Sequence, residues 1–228
     1  LEVEEDPLEQ IDEDSFSKGL NITQECNEAL KMLKGNREER IQGLRIFCEY
    51  RDSRSFPLLL PLLDQPCPVE RMSVVYALGR NPCPSAVNKL VRLLETDDNA
   101  YVRRATAWSL ANYDNQIVLE PLINALKNDV AAVRLWSSSS LAEIGNVSLE
   151  NAQLAAEQLL ISLKIDNESG VRSNCIWSLC RLYEKLNNTY QESFVDECTK
   201  IALFDKEPSV MEEAKTALDS MGMQGFYN

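Results

Sequence analysis

Apolar residues along this chain recur three and four positions apart, and alternating apolar runs are absent, so the pattern predicts helices throughout. The stretch Ala100 to Lys127, AYVRRATAWSLANYDNQIVLEPLINALK, shows it most plainly. It reads as two amphipathic helices joined by a polar turn, Asn112 to Gln116. Neither helix can bury its apolar stripe alone. Close relatives of this hairpin precede and follow it, so the chain reads as stacked copies of one unit.

The copies align on an arginine near the start of each first helix and an apolar residue seven positions later. The pairs are Arg40 and Phe47, Arg71 and Leu78, Arg103 and Leu110, Arg134 and Leu141, Arg172 and Leu179, with Met211 and Leu218 in a sixth copy. Anchor spacings are 31, 32, 31, 38 and 39 residues. The longer fourth and fifth copies carry their extra residues in Gly145 to Asn151 and Lys185 to Tyr190, which predicts longer loops. Three positions after the anchor stand Gly43, Val74, Thr106, Ser137, Cys175 and Ala214. Eight positions after it stand Cys48, Gly79, Ala111, Ala142, Cys180 and Asp219. Mostly small residues at fixed helical positions allow neighbouring helices to approach closely.

Second helices are predicted over Phe56 to Leu63, Ser85 to Glu95, Ile117 to Lys127, Asn151 to Lys164 and Tyr190 to Phe204, with apolar sets such as Val87, Leu90, Val91 and Leu94. Asp64, Asp98, Asp129, Asp166 and Asp205 fall in the turns between copies. They can cap the next helix, and they can pair with anchor arginines as a ladder along the stack. Pro68 and Pro208 fall in first turns, where a missing N–H does no harm. Thr23 to Leu33 reads as a half-copy that closes the stack before Gly35. Residues 1–19 are acidic and poor in apolar side chains, which predicts a flexible tail ahead of a solenoid over 20–228. The first residue is Leu1 rather than Met, which fits an excised targeting peptide as well as a longer parent chain.

Charge and composition narrow the function. Eight acids between Glu2 and Asp14 carry most of the net charge of −13, and this disfavours phosphate-rich partners, nucleic acid included. The chain has no histidine, which excludes Ser-His-Asp and Cys-His catalysis and imidazole ligation. Seven cysteines without a CxxC pair fit free thiols. Cys67 and Cys83, each between two prolines, lie at opposite ends of one helix and cannot share an ion; Cys175 and Cys180 diverge around another. Cys26, Cys48 and Cys198 take helical positions where a small hydrophobe packs. No tightly held metal and no cofactor is expected. No apolar run is long enough to span a membrane.

Hairpins of 31–39 residues sharing V-R-x-x-small and A-L-(G) resemble HEAT repeats. The segments Tyr76-Ala-Leu-Gly-Arg-Asn-Pro82, Asn99-Ala-Tyr-Val-Arg103, Ala132-Val-Arg-Leu-Trp136 and Val171-Arg-Ser-Asn-Cys175 are similar to the bilin-lyase-type (phycocyanobilin lyase HEAT-like repeat) proteins of cyanobacteria and chloroplasts. Within that family they look like the small single-domain members linked to iron–sulfur assembly scaffolds. The resemblance covers residues 20–222 and departs from the pattern at Glu70, where valine is usual, and at Met211, where arginine is usual. The first copy also lacks the Ala-Leu-Gly ending. It implies an all-α right-handed solenoid of about six helical hairpins, located in cyanobacterial cytoplasm or chloroplast stroma. It further implies a protein partner, an iron–sulfur assembly factor or a phycobiliprotein. If the chain is an enzyme, the implied activity is that of a phycobilin lyase.

Two surfaces are candidates for binding. Five positions after the anchor stand Tyr76, Trp108 and Trp177, with Ser139 in the intervening copy and Trp136 one turn away. This aromatic column packs the seams between copies or forms a stripe for a partner. Burial is the expectation for Trp108 and Trp177, and Trp136 is expected to be the most exposed tryptophan. The second candidate is the charged side of the second helices: Lys89, Arg92, Glu120, Lys127, Glu157 and Lys164, the layer that HEAT-type arrays commonly use as a binding wall. The reading favoured by these features is a non-catalytic scaffold; the alternative is a bilin lyase or tetrapyrrole chaperone acting on phycobiliproteins.

Overall fold

The computed structural model describes residues 22–223; the predicted acidic tail lies outside the described residues. The described residues form twelve α-helices and no strand. In chain order they are α1 (Ile22–Met32), α2 (Arg37–Glu49), α3 (Phe56–Leu62), α4 (Pro68–Arg80), α5 (Val87–Thr96), α6 (Ala100–Leu110), α7 (Leu119–Asn128), α8 (Ala131–Gly145), α9 (Leu149–Ile165), α10 (Ser169–Leu182), α11 (Asn188–Phe204) and α12 (Pro208–Ser220). The even-numbered helices carry the anchors, and the odd-numbered ones from α3 are their second helices. Single 3-10 turns, such as Pro84–Ala86 and Gln116–Val118, lead into several second helices. Pro68 and Pro208 each occupy the first turn of a helix, as their missing N–H allows.

The two longer copies differ from expectation. Their extra residues lengthen helices more than loops: α9 and α11 have 17 residues each, whereas α5 and α7 have 10. Leu149 and Asn188 begin helices inside the segments read as loops. The reason lies at the starts: Ser148 and Asn187 each accept from an N–H of the first turn, so a side-chain cap moves the helix start upstream.

The chain divides into two compact units at Leu90 and Val91, within α5. In the first unit α2 packs on α1 and α4, and α3 on α4. Gly43 sets the α1–α2 approach, because a Cβ there would come within 3.0 Å of the Ala29 carbonyl oxygen. In the second unit α6, α8, α10 and α12 pack in succession as one layer, and α7, α9 and α11 as another; α7–α8, α9–α10 and α11–α12 contacts join the layers. All six apolar residues seven after the anchor are fully buried, and so is every residue three after it. Serines six after the anchor lock neighbouring first helices together: Ser140 Oγ donates to the Ala107 carbonyl at 2.8 Å and Ser178 Oγ to the Ser138 carbonyl at 2.9 Å.

The arginine ladder forms, with a change of carboxylate partner in the first unit. Arg103, Arg134 and Arg172 each form two hydrogen bonds to a carboxylate of the next copy, Asp129, Asp166 and Asp205 respectively. Each also donates backwards, to the Asp97, Asp129 and Asp166 carbonyls. The second unit therefore carries a continuous spine in which one aspartate serves two arginines, by side chain and by carbonyl. In the first unit Arg40 pairs with Glu70, not with Asp64, which is exposed and bound by Lys89 Nζ at 2.6 Å. Asp97 rather than Asp98 accepts from the N–H two residues on, as Asp166 and Asp205 do. These aspartates brace the turn ahead of a helix instead of capping it. The spine stops at Asp205, since Met211 replaces the next arginine.

The spine carries a pH dependence. Burial pushes the Asp205 carboxyl up, but hydrogen bonds from Arg172 and the Glu207 N–H, with the charges of Arg172 and Lys206, outweigh it and hold the group below its usual range. Asp166 is held down against burial in the same way by Arg134, the Glu168 N–H and Arg172. A depressed folded pKa contributes stability that is fully present above the unfolded value, about 3.9, and is lost as pH falls through the folded one. As pH falls below about 3.9 and through the lower folded value, the chain's urea midpoint should therefore fall relative to that of an Arg172→Met, Asp205→Asn variant. A midpoint difference between the two chains that stays unchanged at the lower pH would contradict this coupling.

Candidate protein-binding face

At 100° per residue, the positions at the anchor and three, four and seven after it share one side of a first helix. Positions two before and one, two, five and nine after it share the opposite side. In α6, α8 and α10 that outer side holds Tyr101, Arg104, Trp108, Trp136, Ser139, Trp177 and Arg181. Every tryptophan of the chain is among them.

Trp177 is 39% exposed, whereas Trp108 and Trp136 are half-buried and Tyr76 in α4 is 2% exposed. The expected order is thus overturned: Trp177, not Trp136, is the most open of the three, and Tyr76 belongs to the core of the first unit. Residue size explains the opening, because α8 offers only Ser139 at the column position beside Trp177. Acrylamide quenching of single-tryptophan variants should accordingly be strongest for Trp177; strongest quenching at Trp136 would contradict this arrangement.

Two arginines stack on the exposed rings. The Arg104 guanidinium lies 5.5 Å from the Tyr101 ring centroid, and that of Arg181 lies 4.9 Å from the Trp177 centroid. Arg181 Nη2 also pairs with Glu143 Oε1 at 2.8 Å. Such stacks bias the orientations of exposed rings by about 0.5–1 kcal/mol each. Asn174 Nδ2 reaches the Leu135 carbonyl at 2.8 Å and the Ser138 hydroxyl at 3.0 Å, and it also meets Ser139 Oγ. Between α8, α10 and α12 an open cleft of about 270 Å³ is lined by Ser139, Gly170, Ser173, Asn174, Trp177 and Glu213.

The charged second-helix residues are all exposed: Lys89 and Arg92 on α5, Glu120 and Lys127 on α7, Glu157 and Lys164 on α9. Several have a local reason for their place. Glu120 lies in the first turn and Lys127 in the last turn of α7, and Lys164 in the last turn of α9, where they complement the helix dipole. Lys89 is engaged by Asp64. The first-helix side of the second unit combines Trp, Tyr and Arg, the composition that dominates interface energetics. Tyr101, Arg104 and Arg181 are absent from the sequence-derived candidates. The signal was available, since Arg104 and Arg181 stand four residues from Trp108 and Trp177, one turn along the same side.

All seven cysteines are free thiols. Burial pushes Cys48 up to about 12 and Cys180 to about 11, and it raises Cys175 and Cys198 as well. Such thiols are poor nucleophiles near neutral pH. Half-exposed Cys67 accepts from Arg37 Nη2 at 2.9 Å, and Cys83 Sγ lies 2.9 Å from Ser85 Oγ. Among the described residues no three Cys, Asp or Glu side chains are grouped to hold a metal ion. No described helix is long and apolar enough to cross a membrane.

A family model described as HEAT repeats matches residues 27–111 and 87–180, well over half of the chain. The chain belongs to the HEAT-repeat family. No curated protein matches it. Among solved structures it is similar to a designed armadillo repeat protein in complex with the peptide (KR)4, at 17% identity and TM-score 0.60, covering 89% of this chain and 99% of that one. A second designed armadillo repeat protein gives 19% identity and TM-score 0.58 over 88% of this chain and 98% of its own. An engineered protein gives 21% and 0.56 over 91% and 96%. At these identities the likeness concerns the fold: this HEAT-repeat chain is an α-solenoid.

Proposed function

We propose that this HEAT-repeat protein is a non-catalytic scaffold that binds a protein partner on the outer side of α6, α8 and α10. The carrying observation is the gathering of all three tryptophans and both arginine–aromatic stacks on that side. Exposed Tyr, Trp and Arg whose orientations are already biased by stacking lose less entropy on docking, which favours such residues as binding anchors. The designed armadillo neighbour in complex with (KR)4 is a case of a similar fold engaging an extended peptide. The high thiol pKa values and the absence of histidine favour binding over chemistry. The family resemblance offers an iron–sulfur assembly factor or a phycobiliprotein as partner, in cyanobacterial cytoplasm or chloroplast stroma.

Affinity capture with matched variants tests the face. Tyr101→Ala, Trp136→Ala and Trp177→Ala together should abolish capture of the partner, whereas Glu120→Lys with Lys127→Glu should leave it intact. Trp177→Ala alone should cost about 1 kcal/mol of stability or less, the scale of a partly exposed site. The reverse pattern would transfer the function to the second helices. A bilin titration followed by absorbance tests the lyase alternative. The cleft beside Trp177, about 270 Å³, is smaller than the ~300–1,000 Å³ typical of small-molecule pockets, so no spectral shift is expected; a saturable shift would favour the lyase reading.

A further inference from the structure

The cleft beside Trp177 has a chemistry of its own. One wall is an indole ring that already carries a guanidinium, that of Arg181 at 4.9 Å. That guanidinium is matched to a carboxylate, Glu143, at 2.8 Å. The cleft repeats the ring-and-carboxylate combination with a second acid, Glu213 on α12, but among the described residues no cation pairs with Glu213. Ser139 and Ser173 line the same walls, and the Ser139 hydroxyl accepts from Asn174. Asn174 spends its amide N–H groups on α8, on the Leu135 carbonyl and the Ser138 and Ser139 hydroxyls. The volume, about 270 Å³, suits one long side chain.

We infer that this cleft takes the guanidinium of an arginine presented by the protein partner, stacked on Trp177 and bound by the Glu213 carboxylate. The inference rests on the binding face proposed above and names what that face recognises. Three alternatives fit less well. A phosphate or carboxylate would meet the unpaired Glu213. A neutral aromatic ring would leave that carboxylate desolvated and unmatched. A lysine ammonium is compact and strongly hydrated and cannot stack flat on an indole, whereas a guanidinium is planar, weakly hydrated and forks onto carboxylates. The chain's overall acidity, net −13, draws such a partner in.

Nuclear magnetic resonance on the full chain tests this through the three indole N–H signals, assigned by Trp→Phe variants. The probes are N-acetyl-arginine methylamide, the citrulline analogue, which is planar but uncharged, and the lysine analogue. Capped arginine should shift the Trp177 signal saturably. Citrulline should not, lysine should bind more weakly, and Glu213→Gln should weaken arginine by about tenfold, one charge-assisted contact. Citrulline matching arginine, lysine matching arginine, Glu213→Gln without effect, or a Trp177 signal that arginine leaves unmoved would each overturn the inference. The two readings fail separately. Partner capture lost in the first-helix variant with no arginine effect at Trp177 removes the cleft and keeps the face. Arginine bound at Trp177 with capture indifferent to that variant removes the face.

Discussion

Arg172→Ala is expected to lower the unfolding free energy by about 3–5 kcal/mol, the range for removing one partner of a buried ion pair. Arg172 and Asp205 are the most enclosed pair of the spine, with side chains 6% and 8% exposed. The guanidinium forms two bonds to Asp205, at 3.0 and 2.7 Å, and two more to the Asp166 and Asn167 carbonyls, at 2.9 and 3.3 Å. Truncation leaves a carboxylate away from water with only the Glu207 N–H to satisfy it, at 2.9 Å. Arg181→Ala is the contrast, because its pair with Glu143 is 43% exposed on both sides, and solvent reduces such a pair to about 1 kcal/mol or less. The double change Arg172→Met, Asp205→Asn should recover much of the loss, since the cost lies in the unmatched charge and not in the lost attraction. Urea midpoints of the four chains measure this. A loss below about 1 kcal/mol for Arg172→Ala would mean that water reaches the site.

The inward half of each helix was legible because its constraints repeat. A residue seven after the anchor must fill the same seam in every copy, and Phe47, Leu78, Leu110, Leu141, Leu179 and Leu218 are all buried. The partners of the arginines were only half legible. An aspartate just ahead of a helix is visible in sequence, but which carboxylate a long guanidinium reaches depends on the path of the turn. Arg40 reaches Glu70, one helical turn into the next first helix, while Asp64 stays in solvent. Helix lengths were misjudged for a related reason: Ser148 and Asn187 look like loop residues until their caps are seen.

The proposed binding face was the least legible part. Its residues were identified by type, but exposure five positions after the anchor is decided by the neighbouring copy. The Tyr76 ring is covered, and the Trp177 ring is left open because Ser139 is too small to reach it. Periodicity places both residues alike on their own helices. Only the adjacent side chains separate a core ring from an exposed ring, and these come from a helix more than thirty residues away.

Leu110→Ala should cost about 2–5 kcal/mol, the span measured for fully buried leucines. Leu110 closes α6 on its inward side and has no exposed surface. Where a leucine falls in that span depends on how far its surroundings collapse into the cavity. At Leu110 the neighbouring first helices are tied together by Ser140 Oγ on the Ala107 carbonyl, so collapse is restricted and the upper half of the span is expected. Leu149→Ala, at the exposed first position of α9, should stay within about 0.5 kcal/mol. Position along the stack adds a second expectation. Copies in a repeat array contact only their neighbours, so a terminal helix can open without its interior. Leu218 in α12 is as buried as Leu110, but Leu218→Ala should act mainly by fraying α12, seen as faster amide exchange there with a smaller midpoint shift. Equal midpoint shifts from the two leucines would mean that the second unit unfolds as one block. A shift under about 0.5 kcal/mol at Leu110 would mean that the seam itself is misassigned.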